Sequence, residues 1–376
     1  MSSRSEIAIV GAAETARLGR IPGQSVLGLN TEAGARALAD AALKVADVDG
    51  VAGAFDPRQV AHQLGIRPRW VDTTNVGGCS FLLHVRHAAA AIRAGYASTV
   101  LITHGESGRS RVGTVPRPRD PASLTGQFEE PYGARAPFTR FTLPALRYMK
   151  TFGVTHEQLA WVAVRQREWA ALTPRAKLRD PLTVAGVLES PLVAYPFHKP
   201  QVCLVTDGGG ALVVTAADRV ETSSAVRVLG TGESADSPLV AELDDPLGSA
   251  AASRAAGDAF AEAGIRRSDV DHVMCYDAFA HLPMVGLEAL GIVERGEAAE
   301  FIAAGHTAPG GTLPVNTNGG GLSYTHTGMY GMFAIQEAVR RLRGEASAPV
   351  PDARVSAVLG FGGMYTAASV LLLGRW

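Results

Sequence analysis

Asn75-Val-Gly-Gly-Cys-Ser80 and Asn318-Gly-Gly-Gly-Leu-Ser323 stand far apart in the chain, yet each joins an asparagine and paired glycines to a helical stretch rich in alanine and carrying an isoleucine. The register holds along the helices, so that Ile92 corresponds to Ile335. A second pair of segments repeats in the same order. Arg36-Ala-Leu-Ala-Asp40 followed by Asp47-Val-Asp-Gly-Val51 returns as Arg254-Ala-Ala-Gly-Asp258 followed by Asp269-Val-Asp-His-Val273. Each copy reads as an amphipathic helix, a turn and a strand. Apolar strands close both units, Thr99 to His104 in one and Val355 to Leu359 in the other. The chain is therefore an α/β protein of two halves, expected at 1–222 and 223–376 and related by a pseudo-twofold axis. Alternating strands and helices favour largely parallel sheets covered on both faces. Uninterrupted apolar runs such as Ile7-Ala-Ile-Val10 and Ala211-Leu-Val-Val214 suit such strands.

Composition narrows the function classes. Of 376 residues 47% are apolar and 19% charged, a balance that supports a large core. A net charge of −1 gives no general field for nucleic acid, and no apolar stretch is long enough to span a membrane. A cytoplasmic location is the default expectation. Three cysteines, Cys79, Cys203 and Cys275, show neither disulfide pairing nor metal-ligand spacing, so no metal is expected in this chain. Gly11-Ala-Ala-Glu14 lacks the further glycines of a dinucleotide fingerprint, and Asp207-Gly-Gly-Gly210 enters a strand, which reads as backbone packing. Residues 107–196 break the repeat and form an inserted loop or lid region, with helical patterns at Leu143–Phe152 and His156–Leu172.

Within the repeat, Cys79 follows two glycines and opens a helix, where unpaired amides and the helix dipole lower a thiol pKa. The twin turn of the second half carries His326, and a pseudo-twofold brings the two turns face to face. An imidazole there can take the thiol proton or polarise a thioester oxygen. His281, just after Ala280 and beside a strand end, is a candidate pocket residue and acid-base, with a satisfied structural histidine as the alternative. His104-Gly-Glu106 ends a strand and reads as a contact between subunits as readily as a pocket element.

Gly77-Gly-Cys79, Asp207-Gly-Gly-Gly-Ala-Leu-Val-Val214, Tyr276-Asp-Ala-Phe279, Gly319-Gly-Gly-Leu-Ser-Tyr-Thr-His326 and Gly360-Phe-Gly-Gly-Met364, in this order and over nearly the whole chain, resemble the thiolase superfamily, in particular its sterol-carrier-protein-type members. The resemblance implies two βαβαβαββ halves forming a five-layered αβαβα core, a homodimer, and coenzyme A as part of a thioester substrate. It implies catalysis by Cys79, His326 and Tyr276, with Gly362 and Gly363 near the oxyanion. Two departures stand out. Tyr276 replaces the family's His or Asn, and Gly360 replaces its second cysteine, the usual acid-base. Tyr276, Tyr324 and Tyr365 are the substitutes that a proton-transfer role would draw on. The spacing from Cys79 to Gly95 is one residue shorter than the usual pattern, which leaves a register shift at the nucleophile open.

The leading expectation is a thiolase-type acyltransferase working on a β-ketoacyl-CoA through a Cys79 thioester. The alternative is the aldolase branch, in which a tyrosine serves the cleavage of a β-hydroxyacyl-CoA of the steroid side-chain type. A non-catalytic acyl-CoA-binding scaffold is the third. Both enzymatic branches often work with a small OB-fold and zinc-ribbon subunit that helps bind the acyl-CoA.

Overall fold

The computed structural model describes residues 6–376 except 114–119, 136, 220–223 and 351. The expected boundary between halves, Asp218–Ser224, and the Pro116–Pro121 run therefore lie largely outside the described residues. The first half contains β1 (Ile7–Glu14), α1 (Val26–Asp40), β2 (Gly50–Gly53), α2 (Pro57–Leu64), β3 (Trp70–Asp72), α3 (Ser80–Arg93) and β4 (Thr99–Ser107). The excursion that follows carries α4 (Leu124–Phe128), α5 (Phe138–Phe152), α6 (His156–Ala171), α7 (Val184–Leu188) and the short strands β5 (Leu192–Ala194) and β6 (Phe197–His198). β7 (Asp207–Ala216) returns the chain to the sheet. The second half follows with β8 (Val226–Ala235), α8 (Ala250–Ala263), β9 (His272–Cys275), α9 (Leu282–Ala289), α10 (Ala298–Ala303), α11 (Gly320–Ser323), α12 (Gly331–Arg343), β10 (Val355–Gly362) and β11 (Ala367–Arg375).

The strands run β3-β2-β4-β7-β1-β8-β11-β10-β9. Two arms meet at β1 and β8 through only Ala8↔Arg227 and Ile9↔Val226. In each arm the last strand runs against its neighbours: β7 between β4 and β1, and β11 between β10 and β8. The sheet is accordingly mixed, where alternation alone suggested largely parallel pairing. The cause is local, since β10 and β11 form a hairpin closed at Gly362↔Ala367, and a hairpin is antiparallel by construction. The corresponding pair in the first arm is Ser107↔Asp207, so residues 108–206 occupy the place of the turn 363–366.

Helices α3 and α12 pack on each other and on strands of both arms, while α1 and α2 cover the outside of one arm and α8 and α9 that of the other. This is the five-layered αβαβα arrangement. The central pair is apolar on nearly every side: Phe81, Leu82, Val85, Phe333, Ile335 and Val339 are fully buried. A helix buried all round is what a middle layer requires. Its two ends nearest the site touch, because a Cβ on Gly331 would lie 2.2 Å from the Gly78 carbonyl oxygen. Among the described residues no helix is long and apolar enough to cross a membrane.

Candidate active site

A cavity of about 460 Å³ opens where the two helix starts meet, walled by Gly77, Gly78, Tyr276, His326, Gly363 and Met364, and by aromatic residues of the excursion and of the loop after β9. Tyr276 immediately follows β9, and its backbone N–H donates to Leu359 of β10, which fixes the residue at the sheet edge. His326 lies between α11 and α12, anchored by its N–H to the Thr206 hydroxyl (3.1 Å) and by its carbonyl to the Thr206 N–H (3.0 Å). The Tyr276 hydroxyl stands 3.1 Å from His326 Nε2. Burial pushes the His326 pKa down to about 4, so the imidazole is neutral at physiological pH. Burial, reinforced by the nearby Cys203 and Asp277, raises the Tyr276 phenol well above its ordinary value and keeps it protonated. The pair is thus a neutral donor and a neutral acceptor facing one apolar chamber.

Gly78 lets the phenol reach that position. A Cβ there would lie 2.2 Å from Cε2 of Tyr276 and 2.5 Å from the Phe361 carbonyl. The aromatic ring fills the space a side chain at the start of α3 would take. Cys79, one residue on, is turned into a separate apolar cluster with Leu83, Ala367 and Val76, is fully buried, and is absent from the cavity wall. Burial pushes its thiol up to about 12, against the helix-start effect that would lower it. The structure therefore brings His326 and Tyr276 together and leaves Cys79 apart from them. The cysteine at the cavity wall is Cys203, whose thiol burial likewise raises to about 12.

The other singled-out residues divide. Gly363 lines the cavity, whereas Gly362 packs against the Val76 carbonyl and the Cys79 sulfur. Tyr324 points elsewhere: its hydroxyl donates to Glu14 Oε2 (2.6 Å) in a buried cluster with Arg340 and Arg175. Tyr365 and His281 form a second tyrosine–histidine hydrogen bond behind the wall, surrounded by Phe141, Phe197 and Phe361, and neither lines the cavity. His104 is buried with Nε2 2.8 Å from the Thr327 hydroxyl, an intramolecular contact in place of a surface one.

Glu106 is the residue sequence reasoning undervalued. Its carboxylate lies against Gly328 of the cavity wall, where a Cβ would come within 2.0 Å of Oε2. Burial raises its pKa to about 7, and its charge bears on Tyr276. The only sequence signal was its place at the end of a strand leading into the excursion. Asp277, beside Tyr276, is also raised to about 7 by burial while accepting from the Gly321 and Leu322 amides, and so holds the glycine loop in place. Among the described residues no cluster of three His, Cys, Asp or Glu side chains could hold a metal ion.

Residues 232–375 match the family model described as thiolase C-terminal domain-like. The chain is 33% identical to the 17-hydroxy-3-oxo-4-pregnene-20-carboxyl-CoA lyase of Mycobacterium tuberculosis, over 98% of this chain and 99% of that protein. It is 32% identical to a steroid side-chain-cleaving aldolase of Thermomonospora curvata, over 98% and 97% of the two chains. A solved structure described as the Ltp2-ChsH2(DUF35) aldolase superposes with a TM-score of 0.90 at 31% identity, covering 98% of each chain. The chain belongs to the thiolase superfamily, within its sterol-carrier-protein-type group and on the aldolase branch.

Proposed function

We propose that the protein cleaves a β-hydroxyacyl-CoA by a retro-aldol reaction, releasing a ketone and a shorter acyl-CoA, with Tyr276 and His326 moving the proton. The observation that carries this reading is the phenol held at the cavity wall by the absence of a side chain at Gly78, 3.1 Å from a neutral imidazole, with the Cys79 thiol outside the chamber. Both relatives above are named for cleavage of this kind.

A phenol whose pKa burial raises is a poor phenolate, so the proton passes in relay. The substrate hydroxyl gives its proton to the Tyr276 oxygen as Tyr276 gives its own to His326 Nε2. The oxygen lone pair forms the ketone, the Cα–Cβ bond breaks, and its electrons enter the thioester enolate. The enolate carbon then takes one proton back from the pair, and the balance closes without a covalent acyl-enzyme. The Gly363 backbone at the cavity wall is the element available to the enolate oxygen. Leu204, Val205, Phe141, Phe279, Phe361 and Met364 give the chamber an apolar lining suited to a bulky β-substituent of the steroid type. A homodimer and a small OB-fold and zinc-ribbon subunit belong to the same reading, the latter supported by the ChsH2(DUF35) component of the 31% identical aldolase.

Cys79→Ala tests the reaction class. With such a β-hydroxyacyl-CoA and the partner subunit present, the variant is expected to form ketone and acyl-CoA at a rate within about twofold of the parent, with no acyl adduct in its intact mass. Loss of turnover, together with an acyl group on Cys79 of the parent protein, would return the protein to thiolysis.

A further inference from the structure

Asp277 is joined to both members of the cavity's tyrosine–histidine pair. It follows Tyr276 in the chain, and its carboxylate accepts from the backbone N–H of Gly321 (2.7 Å) and Leu322 (3.3 Å) at the start of α11. Gly321 carries this grip to the imidazole. A Cβ there would lie 2.9 Å from Asp277 Oδ1 and 3.1 Å from His326 Cδ2, the ring carbon bonded to Nε2. The 3.1 Å between the Tyr276 hydroxyl and His326 Nε2 therefore depends on where one fully buried carboxylate sits.

That carboxylate has a third neighbour, which comes from the excursion. Gln166 of α6 is 3% exposed, and its amide stands beside Asp277, close enough to favour the charged form of a carboxyl that burial raises to about 7. A Cβ on Gly320 would lie 2.1 Å from Asp277 Oδ2 and 2.8 Å from Gln166 Oε1, so the two side chains share the space that the glycine leaves. Gly319 and Gly320 hold left-handed backbone, with φ of +103° and +65°, which lets the amides that follow face the carboxylate. The same helix grips the turn again, as Arg167 Nε donates to the Ser323 hydroxyl (2.9 Å). Ala163 and Ala170 share the helix face of Gln166 and are apolar. Neither amide atom of Gln166 meets another hydrogen-bond partner among the described residues. An unbonded amide in that place would cost about 1–3 kcal/mol of desolvation, and Asp277 is the group within its reach.

We propose that Gln166 is a positioning residue of the proton relay: from the excursion it steadies the Asp277 carboxylate, which sets Tyr276 through the chain and His326 through Gly321. The inference rests on the retro-aldol reading above. Of the amide's two ends only Nε2 can donate to an ionised carboxylate, and that bond keeps the carboxylate turned to the Gly321 and Leu322 amides. Neither Gln166 nor Asp277 lines the cavity. The effect of Gln166 therefore falls on the orientation of the imidazole, and so on kcat, while the wall that holds the substrate is untouched.

The test uses Gln166→Met, which keeps the length of the side chain and removes its amide, with Asp277→Asn and the double variant completing a cycle. Turnover of a β-hydroxyacyl-CoA is measured with the partner subunit present. The imidazole nitrogen signals of the full-length protein are recorded by NMR, with His326 assigned through His326→Ala. Gln166→Met is expected to lower kcat about tenfold, to leave KM within about twofold and to melt no lower than the parent. Its His326 Nε2 signal is expected to move toward that of an imidazole without a hydrogen bond. In the Asp277→Asn background the same substitution is expected to change kcat by less than about twofold. Parent-like kcat with an unmoved nitrogen signal overturns the proposal, as does an equal loss in both backgrounds, which would take Asp277 out of the route. A fall in kcat that comes only with a lower melting temperature would mark Gln166 as packing and also defeat it. Should the parent show no turnover at all, the retro-aldol reading fails, and the nitrogen signal of Gln166→Met then decides the positioning role by itself.

Discussion

Two tyrosine–histidine pairs span the loop that follows β9, and they use the same chemical groups to different ends. Tyr276 with His326 borders the cavity, while Tyr365 with His281 is enclosed by Phe141, Phe197 and Phe361. Burial depresses both imidazoles, to about 4 and about 3, and raises both phenols. Electrostatics alone does not separate them. What does is access: one pair has a chamber in front of it and a glycine behind it, and the other has aromatic rings on all sides. Composition and pKa shift mark a pair as polar and buried, and only the adjoining empty space makes it a site.

Removing the two phenols in turn sharpens the contrast most. Tyr276→Phe is expected to lower kcat by about 10²–10⁴-fold with its melting temperature nearly unchanged. Tyr365→Phe should do the reverse, costing about 1–3 kcal/mol of stability in urea unfolding with kcat little altered, because His281 then loses its partner and its Nδ1 already has none among the described residues. An equal loss of kcat in both variants would erase the distinction.

Gly78→Ala comes next. The methyl group must displace the Tyr276 ring, and a shift of about 1 Å away from Nε2 is expected to cost about 10²-fold in kcat. Full activity in this variant would mean that the ring position is not what the reaction uses. The effect that reaches turnover least concerns Glu106. Its folded-state pKa of about 7 lies above the ordinary 4.5, so the folded state resists ionisation and stability declines as pH rises from 4.5 through 7. Glu106→Gln should remove that decline, gaining up to about 3 kcal/mol over the parent at pH 8 relative to pH 4 in paired urea titrations. A pH-independent difference would show that the carboxyl is not held in its neutral form.

The repeated architecture was legible because its signals are local. Periodicity along α1, α3, α8 and α12 and the glycine turns before the two central helices need no knowledge of distant contacts, and α5 and α6 began within a few residues of their sequence patterns. His326 was legible because the repeat sets its turn opposite that of Cys79, whereas Tyr276 came only from the family resemblance, at the position of the family's His or Asn. The direction of Cys79 was not legible. At a helix start each residue turns the side chain by roughly 100°, so a shift of one position puts Gly78 at the chamber and the thiol in the cluster with Leu83 and Ala367. The one-residue shortfall before Gly95 had left that register open in the sequence. Tyr365 and Glu106 depend on tertiary neighbours, the first on residues of the excursion and the second on Gly328, and spacing along the chain carries neither.

The hairpin ends at Ser107 and Asp207 face each other across the sheet, just as Gly362 and Ala367 do over a short turn. Because the intervening hundred or so residues leave and rejoin the scaffold at adjacent points, exchanging them for another segment alters loop-closure entropy only weakly. Phe141, Leu204 and Val205 of the chamber's apolar wall travel with that segment, whereas Phe279, Phe361, Tyr276 and His326 stay behind. A transplant of residues 108–206 from a relative would therefore replace part of the apolar wall together with Thr206, the residue that anchors His326, so the incoming segment must keep a hydroxyl there to leave the proton chemistry in place.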